Sequence, residues 1–269
     1  MGSIDSSFFD MGHLDALSGK QTPMHRVDPR AKLLTTICFI VVVISFNKYD
    51  PAGLAPLVIY PMAVMTIGNI PFSFIMKKLL IASPFVLSVA VFNPILDRSP
   101  VLNLGLFGVS GGFVSFMSIM AKYVLTVSAG LALIACTGFD SICSAAAEMG
   151  VPRVFTIQLL FLYRYIFVLG EEAARMTRAR ALRSFGDRGL GLGIYGSMIG
   201  QLLLRTMDRA QRIHLAMLCR GFDGEIHRAR SSKIRLSDLL FFAGWSGLFI
   251  ALRLYSFPAW LGKELGRLL

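Results

Sequence analysis

The sequence predicts an all-α polytopic membrane protein with about five transmembrane helices plus long amphipathic cytoplasmic helices, and three observations carry that expectation. Of 269 residues, 55% are hydrophobic, among them 21 Phe and 13 Met, and only 16% are charged. That balance is too apolar for a soluble globule of this length. The apolar residues are gathered into long runs separated by short polar connections. The positive charge is concentrated, because the stretch from Glu171 to Arg235 holds thirteen basic and six acidic residues, +7 of the chain's +11.

The spans follow in order. Leu33 to Phe46 is an unbroken apolar run with Arg30 and Lys32 before it and Lys48 after it. With those basic side chains snorkelling it is just long enough to cross a bilayer. Gly53 to Ile70 carries Pro56 and Pro61, and Leu79 to Leu96 carries Pro84 and Pro94. Transmembrane helices tolerate such prolines where neighbouring helices satisfy the freed backbone groups. Phe113 to Thr137 makes a tilted fourth span, with Lys122 about a third of the way in. Lys122 reads either as a charge facing a pathway or as the residue that snorkels at the true start of that span. Leu236 to Phe257 makes a fifth, with Trp245 within it and Trp260 beyond it as interfacial anchors.

Between the fourth and fifth spans the pattern changes. Thr137-Gly138-Phe139-Asp140 reads as a turn with Asp140 as N-cap, followed by a helix through Ala145-Ala146-Ala147-Glu148 that Gly150 stops. Pro152 suits the first turn of a new helix running through Leu169 towards Phe185. Val154 to Leu169 is apolar enough to be taken for a span, but positive loops stay in the cytoplasm. Basic Lys20, Arg26, Arg30 and Lys32, and the connection holding Lys77 and Lys78, orient the chain with its N-terminus inside. Four spans then return it to the cytoplasm near Asp140, and residues 171–235 remain there only if 154–169 lies along, tilts into or re-enters the cytoplasmic face. From Gln201 to Arg220, apolar Leu203, Met207, Ala210, Ile213 or His214, and Met217 recur at helical steps. Arg205, Asp208, Arg209 and Arg212 fall opposite, with Asp208 and Arg212 spaced as an i,i+4 ion pair. Glu171 stands likewise four residues ahead of Arg175.

The expected organisation is therefore a cytoplasmic segment over 1–30, transmembrane helices one to four over 31–139, a cytoplasmic or interfacial coupling region over 140–235, and a final transmembrane helix and tail over 236–269. Each long helix of the basic region ends near a glycine stop, Gly186 or Gly221, just beyond an arginine-centred triplet, Leu182-Arg183-Ser184 or Cys219-Arg220-Gly221. On pattern alone, Arg183 and Arg220 engage either lipid headgroups or the carboxylates and carbonyls of a protein partner, for which the planar guanidinium is well suited.

Several classes of chemistry find no support. Cys38, Cys136, Cys143 and Cys219 show no paired spacing and behave as small hydrophobes. His13, His25, His214 and His227 are far apart, so no metal site is expected in this chain. No GxxxxGK[ST] loop is present, and no cofactor is expected here. Gly191-Leu192-Gly193-Ile194-Tyr195-Gly196 fits GxGxxG, but no strand precedes it, and it reads as a flexible connection between helices. Met1 to Gly19 lacks the charged and apolar regions of a signal peptide. Its Met1-Gly2-Ser3-Ile4-Asp5-Ser6 matches the myristoylation pattern, against the simpler reading of a flexible terminus. The basic band beside the spans reads as orientation signal and anionic-lipid contact, with no nucleic-acid motif.

Three stretches, Val27-Asp28-Pro29-Arg30-Ala31-Lys32-Leu33-Leu34, then Gly150-Val151-Pro152-Arg153 leading to Tyr163-Arg164-Tyr165, then Ala216-Met217-Leu218-Cys219-Arg220-Gly221-Phe222-Asp223-Gly224, resemble the transmembrane T component of energy-coupling factor transporters of the cobalt/nickel-type CbiQ family. The resemblance spans about Val27 to Leu254. It implies a non-catalytic helical scaffold in a bacterial cytoplasmic membrane. Such a scaffold links a substrate-binding membrane component, and a small accessory membrane subunit, to a pair of cytoplasmic ABC-type ATPases that bind ATP and magnesium, for uptake of cobalt or nickel ions. The family's two short arginine signatures dock on those ATPases, and here they map onto Leu182-Arg183-Ser184 and Cys219-Arg220-Gly221. Both depart from the usual first-position Ala while keeping it apolar. The competing expectation is a self-sufficient secondary transporter or channel, with Lys122 and Asn93 as its mid-membrane polar candidates.

Overall fold

The computed structural model describes residues 19, 22–48, 51–96, 100–104, 107–183, 192–224 and 235–254. The apolar runs become α1 (Pro23–Arg26), α2 (Pro29–Ser45), a 3-10 helix (Ala52–Val58) continuing into α3 (Ile59–Gly68), α4 (Phe72–Leu96), α5 (Gly111–Thr137), α6 (Phe139–Glu148), α7 (Arg153–Arg183), α8 (Leu192–Cys219) and α9 (Leu236–Leu254). An antiparallel hairpin, β1 (Pro100–Leu104) with β2 (Phe107–Ser110), joins α4 to α5. The class is the all-α polytopic membrane fold that composition and hydropathy indicate.

Among the described residues, four helices are long and apolar enough to cross a membrane: Phe72–Pro94, Gly111–Thr137, Arg153–Arg183 and Leu236–Leu254. The first two apolar runs form shorter helices. At 1.5 Å per residue α2 is about 26 Å long, and the 3-10 and α pieces of 52–68, with Pro56 inside the first, together reach about 29 Å. Helix α4 begins seven residues before the expected span, at Phe72, so Lys77 and Lys78 lie within the helix rather than in a connection. Helix α7 is continuous from Arg153 to Arg183. Length and composition thus admit it to the spanning set, whereas the charge of its second half led to the expectation that 154–169 does not cross. Helix α6 starts at Phe139, which puts Asp140 in the first turn rather than at the cap. Its carboxylate is still favourably placed near the positive end of the helix dipole.

The described residues fall into two units, one drawn from 16–138 and 232–269, the other from 139–231. In the first, α5 packs against α2, α3 and α4, and α2 packs against α9. Asp28 caps α2 by accepting from the Arg30 amide at 2.9 Å, with Pro29 in the first turn. The buried Asp238 carboxylate ties the start of α9 to that cap, accepting from the Asp28 amide at 3.0 Å and the Arg235 amide at 2.9 Å. A ring cluster of Phe39, Tyr60, Trp245 and Phe249 fills the space between, with centroids 4.7 to 5.8 Å apart. The Tyr60 hydroxyl shares a 2.9 Å hydrogen bond with Thr36, so the polar tip of this buried ring is satisfied.

Helices α2 and α5 exchange lysines. The last carbonyls of any helix lack intrahelical donors and carry the negative end of its dipole. Lys32, 2% exposed at the start of α2, donates to the Cys136 carbonyl at the end of α5 at 3.3 Å. Lys122 of α5 donates to the Phe46 and Ile44 carbonyls at the end of α2, at 2.6 and 3.3 Å. The two helices are therefore antiparallel and each ends on an ammonium from the other. Arg253 adds a bond of 3.1 Å to the Ser45 carbonyl and lies over the Phe46 ring.

In the second unit α6 folds back on α7, with Phe139 stacked on Tyr163 at 4.5 Å. Helix α8 meets α7 in turn.

Candidate functional site

The contact of α7 with α8 is narrow. The half-buried residues of α8, Met198, Leu202, Thr206, Ile213 and Met217, recur at turns of the helix, giving one stripe that faces its neighbour. Leu203 and Met207, expected on that stripe, are instead largely exposed, at 60% and 57%. The helix is apolar over more than one face, and the crossing selects the Thr206 side. Val168 and Leu169 of α7 stand opposite Thr206 and Arg209 of α8.

An ion-pair cluster marks the crossing. Glu172 Oε1 accepts from Arg205 Nη1 across the helices at 2.7 Å, and Oε2 accepts from Arg175 Nη2 at 3.0 Å. The sequence pattern aligned Arg175 with Glu171. Successive helix residues point about 100° apart, so the change of one position moves the carboxylate from the solvent side to the α8 side. Asp208 and Arg212, spaced for a pair, make no ion pair among the described residues. Glu172 and its bond across to Arg205 were missed from sequence, because a Glu-Glu doublet does not say which carboxylate faces a neighbour 33 residues away.

Beyond the crossing the helices diverge around an apolar groove of about 340 Å³. Its walls are Phe161 and Tyr165, N-terminal to Glu172, and Ile213, Met217 and Phe222, C-terminal to Arg205. The helices are thus antiparallel, and their arginine-bearing C-terminal ends leave the crossing on opposite sides. Glu172 precedes Arg183 by eleven residues and Arg205 precedes Arg220 by fifteen, which gives helical arms of about 17 and 22 Å. The two guanidinium-bearing ends are therefore no more than about 40 Å apart.

Both ends are exposed. Leu182 is 83% exposed and Arg183, the last residue of α7, is exposed as well. Ser184 and the expected stop at Phe185-Gly186 lie outside the described residues. Helix α8 ends at Cys219, and Cys219, Arg220 and Gly221 are exposed. The Gly221 amide donates to Leu218 and the Phe222 amide to Met217, both at 3.0 Å. These are the two bonds of a Schellman stop, and they require the left-handed φ of +80° that Gly221 adopts. Phe222 then packs back towards Met217 in the groove wall, so Arg220 is presented at the rim of a fixed turn.

The remaining candidates fall into place. Lys122 is engaged by the carbonyls that end α2, and Asn93 lies half-buried in α4. Leu192 to Gly196 are the first turns of α8 rather than a flexible connection, while Gly191 lies outside the described residues. The helix forms there although Gly193 and Gly196 each cost about 1 kcal/mol relative to alanine in a helix interior. Among the described residues no three His, Cys, Asp or Glu side chains gather as a metal site.

The chain matches the family model described as cobalt transport protein, CbiQ, over residues 20–231. It is 25% identical over 238 residues to the energy-coupling factor transporter transmembrane protein EcfT of Bacillus subtilis (strain 168), covering 80% of this chain and 88% of that one. It is 22% identical over 257 residues to the EcfT of Clostridium kluyveri, covering 89% and 94%. A shorter stretch of 91 residues, 34% of this chain and 37% of the other, is 36% identical to the cobalt transport protein CbiQ of Rhodobacter capsulatus. A helical multi-pass chain matched over most of its length in this way belongs to the CbiQ cobalt transport protein family, the transmembrane T component of energy-coupling factor transporters.

Proposed function

We propose that this chain is the non-catalytic coupling subunit of an ATP-driven cobalt importer, with nickel as the alternative cargo, in a cytoplasmic membrane. The observation that carries the reading is the pair of exposed arginine tips leaving the α7–α8 crossing in opposite directions. One tip fits a single partner; two tips held as much as about 40 Å apart by rigid helices suit two sockets on a dimeric ATPase. ATP and magnesium are bound by those ATPases. Their closure displaces the ends bearing Leu182-Arg183-Ser184 and Cys219-Arg220-Gly221, and the helices pass the displacement to the spans. A substrate-binding membrane component, with a small accessory membrane subunit, supplies the ligands for the ion. The concentration of positive charge after Glu171 supports a cytoplasmic coupling region and N-terminus. It also supports keeping 154–169 at the cytoplasmic face in contact with anionic lipid.

The test is co-expression with candidate ATPase and substrate-binding subunits, followed by cobalt(II) uptake with and without ATP. The Arg183→Ala/Arg220→Ala double variant is expected to insert normally, lose most of the ATPase during purification and abolish uptake. Wild-type uptake by that variant, or cobalt flux through liposomes holding this chain alone, would overturn the reading.

A further inference from the structure

We propose that Glu172 is the pivot of the two-armed unit: a positioning residue that fixes the angle between α7 and α8, so that displacement at one tip crosses to the other helix instead of being absorbed at the contact. The inference rests on the coupling function proposed above.

Apolar contact between two helices resists their separation but is non-directional, so the patch of Val168 and Leu169 against Thr206 allows one helix to swivel on the other. A charge-assisted bond across the crossing supplies the missing direction. Glu172 makes it to Arg205 at 2.7 Å, and its second oxygen is held at 3.0 Å by Arg175 from the same helix. The Arg175 bond lies within α7 and spans no contact, so the directional link between the two helices is the bond from Arg205 to Glu172. The arms multiply any slack, since a swivel of about 10° moves tips about 17 and 22 Å away by roughly 3 to 4 Å, the length of a hydrogen bond or more. The arginine side chains of both pairs are well exposed, and exposed pairs contribute little to global stability. Loss of Glu172 should therefore leave a folded chain with misdirected arms.

The experiment reconstitutes the complete complex in proteoliposomes and measures ATP hydrolysed per cobalt(II) ion taken up. Glu172→Gln and Arg205→Gln should assemble and hydrolyse ATP within about twofold of the parent. Each should spend roughly fivefold or more ATP per ion. The double variant should be no worse than either single one, and Glu172→Asp should recover much of the coupling. Arg175→Gln, which leaves the cross-helix bond in place, should change the ratio least. Independently of transport, spin labels on native Cys219 and on Leu182→Cys, in a Cys38→Ser background, report the tip-to-tip distance in the isolated chain. That distribution should broaden in Glu172→Gln and Arg205→Gln but not in Arg175→Gln. The proposal is overturned by an unchanged distribution in Glu172→Gln, by an unchanged ATP-to-ion ratio, or by equal effects of Arg175→Gln. An unsubstituted complex that takes up no cobalt would count against the coupling function alone, because the label distances still judge the pivot.

Discussion

Lys122 is the residue where a functional and a structural reading part most clearly. An ammonium inside a span is a pathway candidate on charge alone, yet here it donates to two carbonyls at the end of α2, groups that have no intrahelical donor. Lys122→Met should lower thermal stability by roughly 1 to 3 kcal/mol, the cost of losing a charged donor and stranding its acceptors. Lys122→Arg should recover much of that loss. Cobalt(II) uptake per folded molecule should stay near the parental level in both, as measured by melting in detergent alongside uptake. Normal stability with abolished uptake would restore the pathway role.

At the scale of the element, the termini of α8 show what the sequence discloses and what it withholds. Its C-terminal stop was legible because Gly221 follows a periodic apolar run, and a left-handed residue is what such a stop needs. Gly221→Ala should cost about 1 kcal/mol by forcing a side chain into that conformation, fray the turn that presents Arg220, and weaken recovery of the ATPase in pull-down; unchanged recovery would mean the turn is dispensable. The start of α8 was not legible, since Gly193 and Gly196 look like a linker until the apolar residues between them are seen to extend the helix. The spans of α4 and α5 were readable from long apolar runs, but the α2 run and the 52–68 run are at the lower limit of spanning length, and hydropathy does not separate such helices from α7. The α8 contact stripe was misassigned towards Leu203 and Met207 because a helix apolar on several faces has no single preferred side until a neighbour is chosen. The arginine tips followed from the family motif, whereas the Glu172–Arg205 bond is tertiary and has no local signature.

For the molecule as a whole, the account depends on exposed arginine ends that reach protein rather than lipid. Cys219 allows a direct test, because it is exposed while Cys136 and Cys143 are buried and Cys38 is half-buried. In inverted membrane vesicles carrying the full complex and a Cys38→Ser chain, Cys219 is labelled with a membrane-impermeant photo-cross-linking maleimide and illuminated. The expected product is a covalent adduct of this chain with the ATPase, lost when Arg220 is replaced by Glu. Labelling only from the opposite side of the membrane, or adducts with lipid and none with the ATPase, would contradict the coupling function.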